Sequence, residues 1–204
     1  MKFTQNDRVI VLRVFRQAFY FVLMMACIFL MYGLVAIFHE KTFAEHGVVE
    51  NIQLAFLSAA TLSFFIQACL KKKYKYTLLL LSSAALMACF RESDKFFDHL
   101  LYLRWEIGFV FPLAAFYWCL RHWKKTKKSL LRFFSSPAFN MMVCAMIIII
   151  PVAQCIGHGS FVRNVLGVQN ISSIKEMFEE ASEAIGYLLI FLSSVECIWS
   201  MPKK

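Results

Sequence analysis

A handful of polar residues stand where this chain is otherwise apolar, and their types could do chemistry. They are the carboxylates Glu50, Asp94, Glu106 and Glu183, the imidazoles His39 and His158, the guanidiniums Arg91 and Arg104, and the amide Gln154. Carboxylates with histidines suit zinc or another divalent metal, so such a metal is the one cofactor these residues suggest. The same groups could instead serve acid–base catalysis on a lipid ester or amide. Arg91 or Arg104 could hold a phosphate or carboxylate headgroup through a bidentate fork.

Spacing supports shared faces. Glu176, Glu179, Glu180 and Glu183 follow the i, i+3, i+4, i+7 pattern and form one stripe of a helix. Glu50 with Gln53 and Arg91 with Asp94 are three apart. Asp94 with Asp98 and Lys95 with His99 are four apart, again one face. The plainer readings are a solvated face for the glutamate stripe, a structural ion pair for Arg91 and ordinary loop histidines. No motif fixes a reaction. The chain lacks the GxSxG elbow, HExxH and a Walker A loop, PSGH, and EExxxR, since Glu179-Glu180 is followed by Ala181, Ser182 and Glu183.

These residues have to be positioned by membrane helices. The chain has 204 residues, is 60% hydrophobic, carries 22 Phe and is only 17% charged. Helices and closed barrels alone satisfy the backbone in lipid. Continuous apolar runs such as Met141–Ile150 exclude the alternating segments of a barrel. The expectation is an all-α polytopic integral membrane protein, one domain over 1–204, folded as a six-transmembrane-helix bundle. The expected spans are 18–38, 48–70, 77–97, 101–120, 138–156 and 183–201. The basic residues before Ala18 precede an apolar run with no A-x-A-like site after it, so the first span reads as retained.

Basic residues set the orientation. Lys2, Arg8, Arg13, Arg16, the Lys71–Lys75 run, the Arg121–Arg132 run, Lys203 and Lys204 fall on one side; only Lys41, Arg91, Lys95, Arg104, Arg163 and Lys175 fall on the other. Both termini are therefore expected on the cytoplasmic face of an inner membrane. The net charge of +9 is then a topology signal with attraction to anionic headgroups, and no nucleic-acid partner is expected. The basic connection 121–136 reads as a short helix on the inner headgroups. Ser173-x-x-Glu176 reads as a capping box opening a helix in the outer connection before the last span. Glu196 is expected to meet a lysine of the Lys71–Lys73 run. The seven cysteines have no CxxC spacing and read as small hydrophobes.

Arg91 is the odd residue of the third span. It follows only fourteen low-polarity residues, Thr77 to Phe90, which places it about 21 Å up a helix that needs about 30 Å to cross. Counted the same way, Glu106 lies near 21 Å, Gln154 near about 24 Å, Asp94 and Glu183 near about 26 Å, and Glu50 and His158 near about 30 Å. Polar groups from five helices thus share one outer layer. The functional expectation is an outward-facing polar chamber that handles a lipid headgroup or small molecule, as a membrane-embedded hydrolase or transferase. The competing expectations are a proton- or cation-coupled transporter and a non-catalytic membrane assembly or immunity partner.

Overall fold

The computed structural model describes residues 5–38, 47–93, 105–153, 155 and 172–201. Among them every regular element is helical, and three helices are long and apolar enough to cross a membrane, or four if one bent pair counts as a single span. Helix α1 is Gln5–Phe38, α2 is Val48–Leu70 and α3 is Lys75–Glu92. A 3-10 turn, Trp105–Phe109, leads into α4, Val110–Arg121. Helix α5 is Trp123–Phe134, α6 is Pro137–Ile147 with a π-helical continuation over Ile148–Val152, and α7 is Ser172–Ser200.

Several boundaries follow from local chemistry. Helix α2 has the limits expected from its apolar run. Pro137 stands at the start of α6, where its missing N–H costs nothing. Pro151 lies inside the π segment. Its ring and absent donor break the ordinary ladder, and the backbone answers with one wider turn.

Two expected spans reach beyond the described residues. Helix α3 ends at Glu92, and residues 94–97 of its expected span lie outside the described ones. Both the Ser93 amide and its hydroxyl bond to the Cys89 carbonyl, at 3.0 and 2.7 Å, and close the last turn. Of the fourth span residues 101–104 lie outside the described ones, and the rest is the 3-10 lead and α4, an apolar helix over Ile107–Arg121. The outer helix expected before the last span is no separate element, because α7 runs unbroken from Ser172 to Ser200. The capping residue Ser173 has its side chain outside the described ones.

Neighbouring helices alternate in direction. Helices α2 and α3 form a hairpin through Lys71–Tyr74. Phe90 stacks on Phe111 at one end of the α3–α4 pair, and Cys119 reaches the Tyr76 carbonyl at the other. Ser193 of α7 donates to the Ala138 carbonyl of α6, while Gly186 lies against Ile149 higher up. Helix α5 is amphipathic and makes an angle of 83° with the α6 rod, the shape expected of the basic connection. Thr126, Ser129 and Phe133 face inward, and Ser129 bonds to Thr77 at 2.6 Å.

The bundle is built around α7. Its membrane-length window is 67% buried, against 17% for α1. Lipid tails are as apolar as Leu, so close backbone approach rather than burial from water must hold such helices. The contacts accordingly use small residues: Ala60, Ala138, Ala145, Ala184, Ser193 and Ser194 are fully buried. At Gly186 any Cβ would collide with the Ile149 side chain.

Helix α2 lies parallel to α7 and in constant register with it. Gln53 donates to the Glu180 carbonyl at 2.9 Å, Gln67 to that of Ser194 at 2.8 Å, and Lys71 to those of Cys197 and Ile198 at 2.7 and 3.2 Å. The sequence offset is 127, 127, 126 and 127 residues.

Candidate functional site

The polar groups gather at the end of the bundle opposite Lys71–Lys75. The last turn of α3 supplies Arg91 and Glu92, while the first buried turns of α7 supply Glu180, Glu183 and Tyr187. The first turns of α2 supply Glu50 and Gln53.

Arg91 is the hub. Its Nε and Nη2 donate to Glu92 Oε1 at 3.0 and 2.7 Å. The same Nη2 donates to Glu183 Oε1 at 2.8 Å and to the Tyr187 hydroxyl at 2.8 Å. The Tyr187 hydroxyl in turn donates to Glu92 Oε1 at 2.6 Å. The Glu183 side chain is 7% exposed and that of Arg91 is 41% exposed, so the cluster is closed toward the core and open at its top. Charge-assisted bonds of this kind are about twice as strong as neutral ones.

A second layer of acceptors lies beside it. Gln53 is fully buried, and its amide nitrogen donates to both the carbonyl and the Oε2 of Glu180, each at 2.9 Å. Its Oε1 is buried and receives no hydrogen bond among the described residues. Buried acceptors are nearly always satisfied, so this one marks a place for a donor. Glu180 stands in the fields of Glu183, Glu92 and Glu50, and Glu183 in those of Glu92 and Glu179. The described cluster therefore holds five carboxylates and one guanidinium.

Of the residues singled out in sequence, Arg91 and Glu183 meet directly, and the charge of Glu50 acts on Glu180 without a described contact. Asp94, Arg104, Gln154, His39 and His158 lie outside the described residues. Glu106 falls in the 3-10 turn, with its side chain outside the described ones. The metal expectation rested on His39 and His158. Among the described residues no three His, Cys, Asp or Glu side chains are placed to hold a metal ion.

Sequence reasoning passed over Glu92, Glu180 and Tyr187 as site residues. A signal existed for two of them. Glu180 belongs to the i, i+3, i+4 stripe, and Tyr187 extends it by four from Glu183. Glu92 entered the sequence reading only as one of three ion-pair partners for Arg91, beside Asp94 and Glu106.

The opposite end of the bundle corrects another expectation. The partners described for Glu196 are on α1 rather than in the Lys71–Lys73 run. Arg16 of α1 grips both its oxygens, with Nη2 at 2.6 Å from Oε1, and Tyr20 donates to Oε2 at 3.1 Å. Lys71 instead ends on backbone carbonyls of α7 and on Gln67 Oε1. Free carbonyls at a helix C-terminus are a natural seat for an ammonium group. No protein-family model, curated protein or solved structure matches this chain.

Proposed function

We propose that this chain is a six-crossing inner-membrane protein with both termini cytoplasmic, and that its outer acidic cluster receives the cationic amine of a small molecule or lipid headgroup. The topology rests on the basic residues and on helix direction. Parallel α2 and α7 need an odd number of crossings between them. Helices α3, α4 and α6, each antiparallel to a neighbour, supply three. Helix α5 lies across the inner interface, with its lysines toward headgroups.

One observation carries the ligand class: the cluster is rich in acceptors. Among the described residues Glu92, Glu180, Glu183 and the buried Gln53 Oε1 gather about one guanidinium, two of whose nitrogens are already engaged by Glu92, Glu183 and Tyr187. An ammonium group brings positive charge and three donors, which complements this arrangement better than the phosphate or carboxylate expected at Arg91. If chemistry follows binding, Glu180 or Glu183 is placed to act as general base in hydrolysis or transfer on that headgroup.

The test uses full-length protein in nanodiscs, titrated with ethanolamine or reconstituted with phosphatidylethanolamine. Thermal stability should rise with one of them, and the rise should vanish in Glu180→Gln combined with Glu50→Gln. An identical response in wild type and variant, or none in either, overturns the proposal. The same carboxylates, reached by three helices at one level, also support a second reading as a proton or cation relay. Proton uptake by proteoliposomes under an imposed gradient, lost in Glu183→Gln, would favour that reading.

A further inference from the structure

A second cavity, of about 360 Å³, lies at the lysine-rich end of the bundle, between α1, the α5–α6 elbow and the end of α7. Among the described residues its walls carry Arg13, Arg16 and Arg132 against one carboxylate, that of Glu196. That carboxylate is itself neutralised, since Arg16 holds both its oxygens and Tyr20 donates to it. The cavity is therefore net positive. Ser135 and Ser136 lie on the wall, and Pro137 marks the amino end of α6, which no side chain caps. Helix amino ends carry partial positive charge and unsatisfied N–H groups. Leu12 and Trp199 form an apolar rim continuous with the exposed outer faces of α1 and α7.

We propose that this cavity binds a phosphate group, with Arg13 and Arg132 as its main ligands. Guanidinium forks match phosphate oxygens in geometry as well as charge. Basic pockets between membrane helices on the cytoplasmic side are the setting in which anionic headgroups are held. The phosphate could be presented by an anionic inner-leaflet phospholipid or by a soluble phosphate compound. The apolar rim and the tryptophan favour the lipid source. The proposal stands apart from the acidic cluster at the far end of α7 and survives if that reading fails.

Two arms separate the sources. In the first, full-length protein from phosphatidylglycerol-containing nanodiscs is examined by native mass spectrometry for retained lipid. In the second, protein in neutral phosphatidylcholine nanodiscs is titrated with inorganic phosphate while its thermal stability is followed. Wild type should retain phosphatidylglycerol, or be stabilised by phosphate if the source is soluble. Arg13→Gln with Arg132→Gln should weaken that binding roughly tenfold or more, and Arg13→Gln alone roughly fivefold, which serves if the double variant does not fold. Lys72→Gln with Lys73→Gln removes equal charge from exposed positions outside the cavity and should leave binding unchanged. No binding of either probe by wild type overturns the proposal. So does an equal loss in the lysine variant, which would mean diffuse attraction to a basic face.

Discussion

The two ends of α7 use the same three residue types. At one end Arg16 grips Glu196 with Tyr20 on the same carboxylate; at the other Arg91 grips Glu183 and Glu92 with Tyr187 between them. The first set is balanced, one cation against one anion, and its carboxylate is 2% exposed. It ties the peripheral α1 to the axis of the bundle. Among the described residues the second set has more acid than base, an amide oxygen with no donor and an arginine 41% exposed. A latch needs no surplus. A buried acceptor without a donor, such as the Gln53 oxygen, is what the proposed amine site requires before its ligand arrives.

The largest expected effect comes from breaking one partner of each pair. Arg16→Met or Glu196→Met should each destabilise by about 3–5 kcal/mol, because a buried charge is left alone. The double variant should recover to within about 1 kcal/mol of wild type, since the latch is self-contained. Arg91→Met should cost as much, yet adding Glu183→Met should not rescue it, because Glu92, Glu180 and Glu50 still repel. Thermal melts in detergent check all of these, and equal rescue at both ends would erase the distinction. Gly186→Val, midway along α7, should cost about 1–3 kcal/mol by overpacking against Ile149, with no preference for either end.

Smaller effects sharpen the contrast. Tyr187→Phe removes a donor to one charged group and an acceptor from another, for a loss of about 1.5–3 kcal/mol. Tyr20→Phe removes one longer bond and should cost about 0.5–1.5 kcal/mol. Chemical denaturation of the two variants side by side reads the difference. Glu180→Gln should change stability least, within about 1 kcal/mol, because it removes a charge from an overcrowded cluster. It should still abolish amine-dependent stabilisation, the separation of stability from binding that a site predicts.

What was legible in sequence follows the physics of each signal. Apolar runs and their flanking charges marked α2 at its true limits, because a run of spanning length with polar ends has one good placement. The glutamate stripe of α7 was legible because helical periodicity is local. The end of α3 was not. A span-length rule carried it past Glu92, where Ser93 turns back on the Cys89 carbonyl and closes the last helical turn. The partner of Glu196 was also hidden. Arg16 and Lys71 lie at similar heights, and only the rotation of α1 and α2 about their axes decides which one reaches the carboxylate. Gln53 was visible as a neighbour of Glu50, but nothing in its spacing revealed an amide wedged against α7.

The constant offset between α2 and α7 has a mechanical consequence. Gln53, Gln67 and Lys71 all hold main-chain carbonyls of α7, spread along the length of α2. Sliding one helix past the other by a single residue, about 1.5 Å, would strain every one of these bonds together. Piston-like motion along this pair is therefore locked.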